Sequence, residues 1–176
     1  MKPIQKIVRG IDSFSEWTGI VTAWLILLMV LTIVYDVFMR AMFNQGSVML
    51  QELQWHLFAI AFLLGSAYTL KYDDHVRVDI IYRSRWVSPK ARAWIDLLGS
   101  VFFLIPFSIL IVYSSYDFVY NAYAFQEGSP DAGGLPYRFV LKAALPLCFI
   151  FLILQGIADA LRQIMRIVGQ PIEEHP

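Results

Sequence analysis

The sequence predicts an all-α integral membrane protein with four transmembrane helices and an N-terminal interfacial amphipathic helix. Hydrophobic residues make up 58% of the 176 residues, and the mean hydropathy is +0.58, which is too apolar for a soluble domain with one core. Four apolar stretches each reach the roughly 20 residues that a helix needs to cross a hydrocarbon core of about 30 Å. Helices also satisfy their backbone hydrogen bonds internally, as lipid requires.

The apolar stretches divide a single membrane domain, residues 1–176, into spans and flanking segments. We predict an interfacial arm at residues 1–16 and a short tail at residues 162–176. The four predicted spans are 17–39, 50–70, 94–116 and 139–161.

Local patterns support the arm and the third helix. Ser88 followed by Pro89 is a favourable helix start, and Pro106 predicts a kink in the third span. The arm is amphipathic, which suits a helix on the inner leaflet. Its apolar face consists of Ile4, Ile7, Val8, Ile11 and Phe14.

Charge and cysteine content exclude several classes of protein. The 14 basic and 14 acidic side chains cancel, so no overall field would attract nucleic acid. Cys148 is the only cysteine, which excludes an internal disulfide. The sequence has no Ser-His-Asp constellation, Gly-rich nucleotide loop or HExxH motif, so we expect a protein that is not an enzyme and binds no cofactor.

The distribution of basic residues predicts the orientation. Three precede the first span, six lie within residues 71–92, and Arg162 and Arg166 follow the fourth span. The segments on the other side contain Arg40 in one and Arg138 with Lys142 in the other. The positive-inside rule therefore predicts that both termini are cytoplasmic.

Three charged residues lie near the outer ends of the first two spans. Asp36 and Arg40 are four residues apart with the acid first, the favourable order for an ion pair on one helix. Glu52 begins the second span at a similar depth. We expect these residues to form a cluster that links the two helices, because charges at that depth need partners. The alternative is that Arg40 and Glu52 only reach headgroups and water.

Histidines raise the possibility of a haem. His56 and His75 belong to one predicted helix or its end and are 19 residues apart, or about 28 Å at helical rise, so they cannot bind the same iron. His56 is instead expected to form an interhelical hydrogen bond. Metal binding by residues 73–79 is possible in principle, but a cytoplasmic turn with self-paired charges is favoured.

An irregular segment lies between the last two spans. Residues 126–135 include Pro130 and the glycines 128, 133 and 134, a composition that forms turns and not a helix interior. It is the largest irregular feature on the outer side.

The sequence resembles the small, DctQ-type membrane subunit of the tripartite ATP-independent periplasmic (TRAP) transporters. The matching elements cover most of the chain in the order of the family, with one departure at Ala41, where an aromatic residue is usual. His75-Val76-Arg77-Val78-Asp79 is the most specific element. The others are residues 36–44 around Asp36 and Arg40, Glu52, residues 64–68, Leu135-Pro136 and Leu145-Pro146.

The resemblance implies a role in a bacterial inner membrane. A periplasmic solute-binding protein would capture an organic acid, and a large membrane subunit would carry it inward by an elevator motion driven by sodium. This chain would be the scaffold that packs against the large subunit and helps to receive the binding protein, without binding sodium itself. The implied structural and subunit-packing residues are Asp36, Arg40, Glu52, His75, Arg77 and Asp79, and the implied binding-protein contacts are Asp131, Tyr137 and Arg138.

Two other functions compete with this interpretation. A membrane anchor or haem subunit of an oxidoreductase would show a haem absorbance band. An independent carrier or channel would transport solute when reconstituted alone, but the sequence has no discontinuous helices or acidic pore ring to support it.

Overall fold

The computed structural model describes residues 2–72, Tyr82 and 87–169, and every regular element within them is helical. We number these elements α1 (Lys2–Phe43), α2 (Val48–Lys71), α3 (Pro89–Gly99), α4 (Ile105–Ala124) and α5 (Phe139–Ile167). A π-helical segment, Ser100–Leu104, joins α3 to α4.

Four of the described helical runs are long and apolar enough to cross a membrane, which confirms the predicted fold class. They are Ile4–Phe43, Val48–Lys71, Pro89–Ala124 and Phe139–Ile167. Large apolar side chains such as Trp24, Phe62 and Phe103 are more than half exposed, which is expected where the solvent is lipid.

The predicted arm is helical and continues into the first span without a break. The resulting helix α1 has 42 residues, or about 63 Å at helical rise, roughly twice the thickness of a hydrocarbon core. Val8 of the arm packs in a buried cluster with Ala158 and Met165 of α5. The arm is therefore held along α5 by apolar contacts.

Capping residues define the starts of α2 and α3. The Ser47 hydroxyl accepts a hydrogen bond from the backbone N–H of Leu50 at 3.4 Å. The Ser88 hydroxyl accepts one from Ala91 at 3.2 Å, with Pro89 in the first turn. The start predicted at Ser88 is confirmed, and each cap satisfies a backbone donor that has no partner within the helix.

The third span contains a local change of helix type. Within the π-helical segment the N–H of Ile105 donates to the carbonyl of Ser100, five residues earlier. Pro106 follows directly and has no N–H to donate. π turns and prolines are both recognised causes of helix distortion, so the irregularity predicted at Pro106 lies in the turn before it.

Helix α5 lies at the centre of the bundle and contacts each of the other described helices. It packs against the π-helical segment, where a Cβ at Gly156 would overlap the side chain of Leu104. Gly156 and Ala160 are both buried, as expected for a small-xxx-small packing face.

Candidate functional site

The C-terminal end of α1 contains the predicted ion pair. A guanidinium nitrogen of Arg40 pairs with Oδ2 of Asp36. The Asp36 side chain is almost fully buried, whereas that of Arg40 is about half exposed. The spacing of four residues fixes this contact within a single helix.

Glu52 is engaged by a different partner from the one that the sequence suggests. It is buried at the start of α2, and its carboxylate accepts hydrogen bonds from the Ser129 hydroxyl and from the Leu135 backbone N–H, the latter at 2.6 Å. Among the described ion pairs none joins Glu52 to Arg40. The expected three-residue cluster is therefore only partly formed, because the irregular segment brings its own donors to the buried carboxylate.

The segment that Glu52 holds, residues 125–138, is here called the outer loop. Internal bonds fold it back on itself: Ser129 N–H donates to the Leu135 carbonyl at 3.0 Å, and Gly134 N–H to the Asp131 carbonyl at 3.1 Å. Position 134 has no room for a side chain, because a Cβ on Gly134 would lie 2.7 Å from the Glu52 Oε2 atom. Glu52 and the glycine thus fit together as the base of the loop.

A second set of contacts joins the outer loop to α4 and α5. The Lys142 ammonium pairs with the Glu127 carboxylate at 2.5 Å and lies 4.1 Å from the centroid of the Phe118 ring. Arg138 N–H donates to the Glu127 carbonyl at 2.9 Å. The two ends of the loop are therefore tied to each other as well as to Glu52.

The three predicted binding-protein contacts all lie on the outer loop. Asp131 and Tyr137 are exposed and Arg138 is half-buried. Tyr137 has a φ of 61°, a left-handed conformation that is uncommon for a large side chain and is held by the surrounding structure. The outer loop is thus folded by its own hydrogen bonds and exposes two of the three predicted contact residues.

A buried polar network on the opposite, arm-containing side was missed by sequence reasoning. A guanidinium nitrogen of Arg162 pairs with Oδ1 of Asp12, and the Gln155 amide donates to the same oxygen at 3.3 Å. The Ser15 hydroxyl donates to the Gln155 carbonyl oxygen at 2.6 Å. All four side chains are at least nine-tenths buried, so the network cross-links α1 and α5 in a low-dielectric environment.

Asp159 extends this network to the π-helical segment. Its carboxylate accepts a hydrogen bond from the Ser100 hydroxyl at 3.0 Å and lies 3.9 Å from Arg162. The available sequence signal was the pair Gln155 and Asp159, four residues apart within an otherwise apolar run, because polar residues in such a run usually face other helices.

Lys71 provides a further link on the same side. Its side chain is fully buried and pairs at 2.5 Å with Glu16, whose side chain is about half exposed. The contact joins the C-terminal end of α2 to the arm. Together with Arg162 it connects the arm to two other helices.

The predictions for the two histidines, His56 and His75, have different outcomes. The element containing His75, Arg77 and Asp79 lies outside the described residues. His56 was expected to form a hydrogen bond between helices. Its Nδ1 instead donates to the Glu52 carbonyl at 2.6 Å, and this bond lies within α2. In residues 2–72, Tyr82 and 87–169, no three His, Cys, Asp or Glu side chains are grouped as metal ligands.

Comparison with known proteins identifies one family. A model described as "Tripartite ATP-independent periplasmic transporters, DctQ component" matches residues 29–166. A search of curated proteins finds no match. The matched range includes the Asp36–Arg40 pair, Glu52 and the outer loop. The family is one of transporter components and not of enzymes.

Proposed function

We propose a scaffold and docking role for this chain, which belongs to the DctQ component family of the tripartite ATP-independent periplasmic transporters. It is a multi-pass membrane protein, and its family implies association with a large membrane subunit and a periplasmic binding protein. The proposed role is to pack against the large elevator subunit and to help the binding protein dock. Sodium coupling and movement of an organic acid would belong to the large subunit.

The observation that carries the docking proposal is the anchoring of the outer loop by Glu52. A docking surface gains affinity when its loops are ordered before the partner arrives, because less conformational entropy is lost on binding. The two hydrogen bonds to Glu52 and the Glu127–Lys142 pair order this loop. Asp131, Tyr137 and Arg138 then form the proposed contact surface.

The buried polar network supports the scaffold part of the proposal. Asp12 and Arg162 pair across two helices, and their separation would break an ion pair between two buried charges. An element that must stay still while a neighbouring subunit moves benefits from such cross-links. We assign contact with the large subunit to the segment containing His75, Arg77 and Asp79 and to the outer parts of α1 and α2 around Asp36 and Arg40.

We also propose that the chain resides in a bacterial inner membrane with both termini in the cytoplasm. The excess of basic residues around the arm and within residues 71–92 supports this orientation. It places the outer loop in the periplasm, where a soluble binding protein can reach it.

The experiment that tests docking is a charge reversal on the outer loop. Asp131→Arg combined with Arg138→Glu should weaken binding-protein docking and solute uptake, while the amount of membrane complex stays unchanged. Lys90→Glu is the matched control, because Lys90 is exposed at the start of α3 on the opposite side. Unchanged docking in the double variant would remove the proposed role of the loop.

The scaffold role is tested by purification from the native membrane in mild detergent. Recovery of a much larger multi-span subunit without a haem band supports the assignment. Recovery of a haem-coloured complex with redox subunits would favour the oxidoreductase alternative.

A further inference from the structure

The outer half of α4 carries a row of exposed tyrosines. Tyr113, Tyr116, Tyr120 and Tyr123 are spaced by three, four and three residues, which places them on one face of the helix. Each is more than half exposed. The rings of Tyr116 and Tyr120 stack with centroids 6.1 Å apart and planes 7° apart.

This row continues onto the outer loop. Tyr123 meets Phe139 edge-on at 5.4 Å between centroids, and Phe139 meets Tyr137 edge-on at 6.1 Å. We call Tyr116, Tyr120, Tyr123, Phe139 and Tyr137 the aromatic row. It joins α4 to the loop on which the proposed docking residues lie.

Charged side chains show where the hydrocarbon ends along α4. Asp117 is exposed, and the Lys142 ammonium lies beside the ring of Phe118. Charges at this level do not face hydrocarbon. From Asp117 to Ala124 the helix rises about 10 Å, whereas a headgroup layer is roughly 5–7 Å thick on each side. Tyr120, about 4.5 Å above Asp117, therefore lies within the headgroup layer, whereas Tyr123, about 9 Å above Asp117, stands beyond the lipid together with the outer loop.

A position above the lipid decides what kind of partner can cover the row. Tyr113, Tyr116 and Tyr120 have the depth of an interfacial aromatic belt, but Tyr123 and Tyr137 of the outer loop extend beyond it. Water-exposed tyrosines in a continuous patch are typical of protein interfaces, where they act as anchors. A partner for this part of the surface comes from the aqueous side and is a soluble protein.

Asp117 indicates the chemistry of that partner. It follows Tyr113 by four residues and precedes Tyr120 by three, so it lies beside the tyrosines on the helix surface. Tyrosine faces attract Lys and Arg side chains by cation–π interaction, and a neighbouring carboxylate strengthens that preference. The combination fits a partner that presents basic side chains.

We propose that the aromatic row together with Asp117 is the docking surface for the transporter's own periplasmic solute-binding protein, which engages it with basic side chains. This inference rests on the proposed docking function and extends the contact surface from the outer loop onto α4.

The test measures docking of the binding protein to the membrane complex. The two membrane subunits are reconstituted together in nanodiscs, and binding protein purified from the native periplasm with its bound solute is titrated onto them. Combined Tyr120→Ala and Tyr123→Ala should raise the docking Kd about tenfold or more. Tyr113→Ala, on the same face two turns deeper than Tyr120, is the control and should change the Kd by less than about twofold.

A second variant avoids the packing of Tyr123 against Phe139. Asp117→Arg changes an exposed side chain and should also raise the docking Kd, while recovery of the large subunit stays at the wild-type level. The effect should shrink as salt is raised, since it depends on attraction between charges.

The possible outcomes separate the inference from the function on which it rests. If wild-type complex docks the binding protein and all variants dock it with the wild-type Kd, the aromatic row is not the docking surface, although the docking function stands. If the tyrosine and Asp117 variants lose the large subunit instead, the row belongs to the membrane interface and the inference is overturned. If wild-type complex itself does not bind the protein, the proposed docking function fails.

Discussion

Arg162→Ala should destabilise the fold strongly, because it removes the guanidinium that pairs with the buried carboxylate of Asp12. Asp12 is 3% exposed and Arg162 8%, so water cannot replace the lost partner. Removing one member of a buried ion pair costs about 3–5 kcal/mol. At about 2–4 °C per kcal/mol for a chain of this size, the midpoint of thermal unfolding should fall by about 6–20 °C.

The single cysteine provides the assay. Cys148 is 2% exposed in α5, so a thiol-reactive fluorescent dye should label it only when the bundle opens. The midpoint of labelling on heating in detergent then reports unfolding. Arg166→Ala is the matched control, because Arg166 lies one turn further along α5 and is exposed; its midpoint should stay close to that of the wild type.

A double-mutant cycle tests the physical reason for the effect. Combined Asp12→Ala and Arg162→Ala should cost less than the sum of the single changes, since the same ion pair is lost in each single variant and is counted only once in the double variant. Additive effects, or a shift for Arg162→Ala no larger than that for Arg166→Ala, would refute the proposed cross-link.

Two further predictions concern the outer loop and the helix packing. Glu52→Ala removes the acceptor of the Leu135 N–H, so hydrogen exchange at that amide should accelerate about tenfold to a hundredfold. The exchange rate in Glu52→Gln should lie between those of the wild type and Glu52→Ala. An unchanged rate in Glu52→Ala would mean that other contacts hold the loop. Gly156→Val places a branched side chain against Leu104 and should lower the free energy of unfolding by about 1–3 kcal/mol, measured with the same dye. Gly99→Ala, where a Cβ meets nothing within 4 Å, is its control and should not lower stability.

The parts of the fold that sequence reasoning recovered depend on short-range rules. The spans follow from hydropathy and length, and the start at Ser88 follows from the chemistry of helix caps. The Asp36–Arg40 pair follows from helical spacing alone. For the cap and the ion pair the relevant residues lie within about one turn of each other, and each span is one continuous stretch of sequence.

The parts that it missed depend on contacts between distant segments. Glu52 is bonded to residues 77 and 83 positions away, and Asp12 is bonded to Arg162, 150 positions away. Hydropathy indicates that such groups need partners, but it does not give the relative register of two helices or the path of a loop. Sequence reasoning therefore predicted that Glu52 joins Arg40, the opposite charge expected at a similar depth.

The distribution of these long-range contacts is consistent with a static role. On the arm side, the arm is linked to α5 by Asp12 and Arg162 and to α2 by Glu16 and Lys71. On the outer side, Glu52 holds the loop between α4 and α5. Moving any of these helices past its neighbour would break hydrogen bonds or ion pairs of buried polar groups. Sliding within the bundle therefore costs free energy. A chain built in this way can hold the proposed docking surface at a fixed position, as the proposed scaffold role requires.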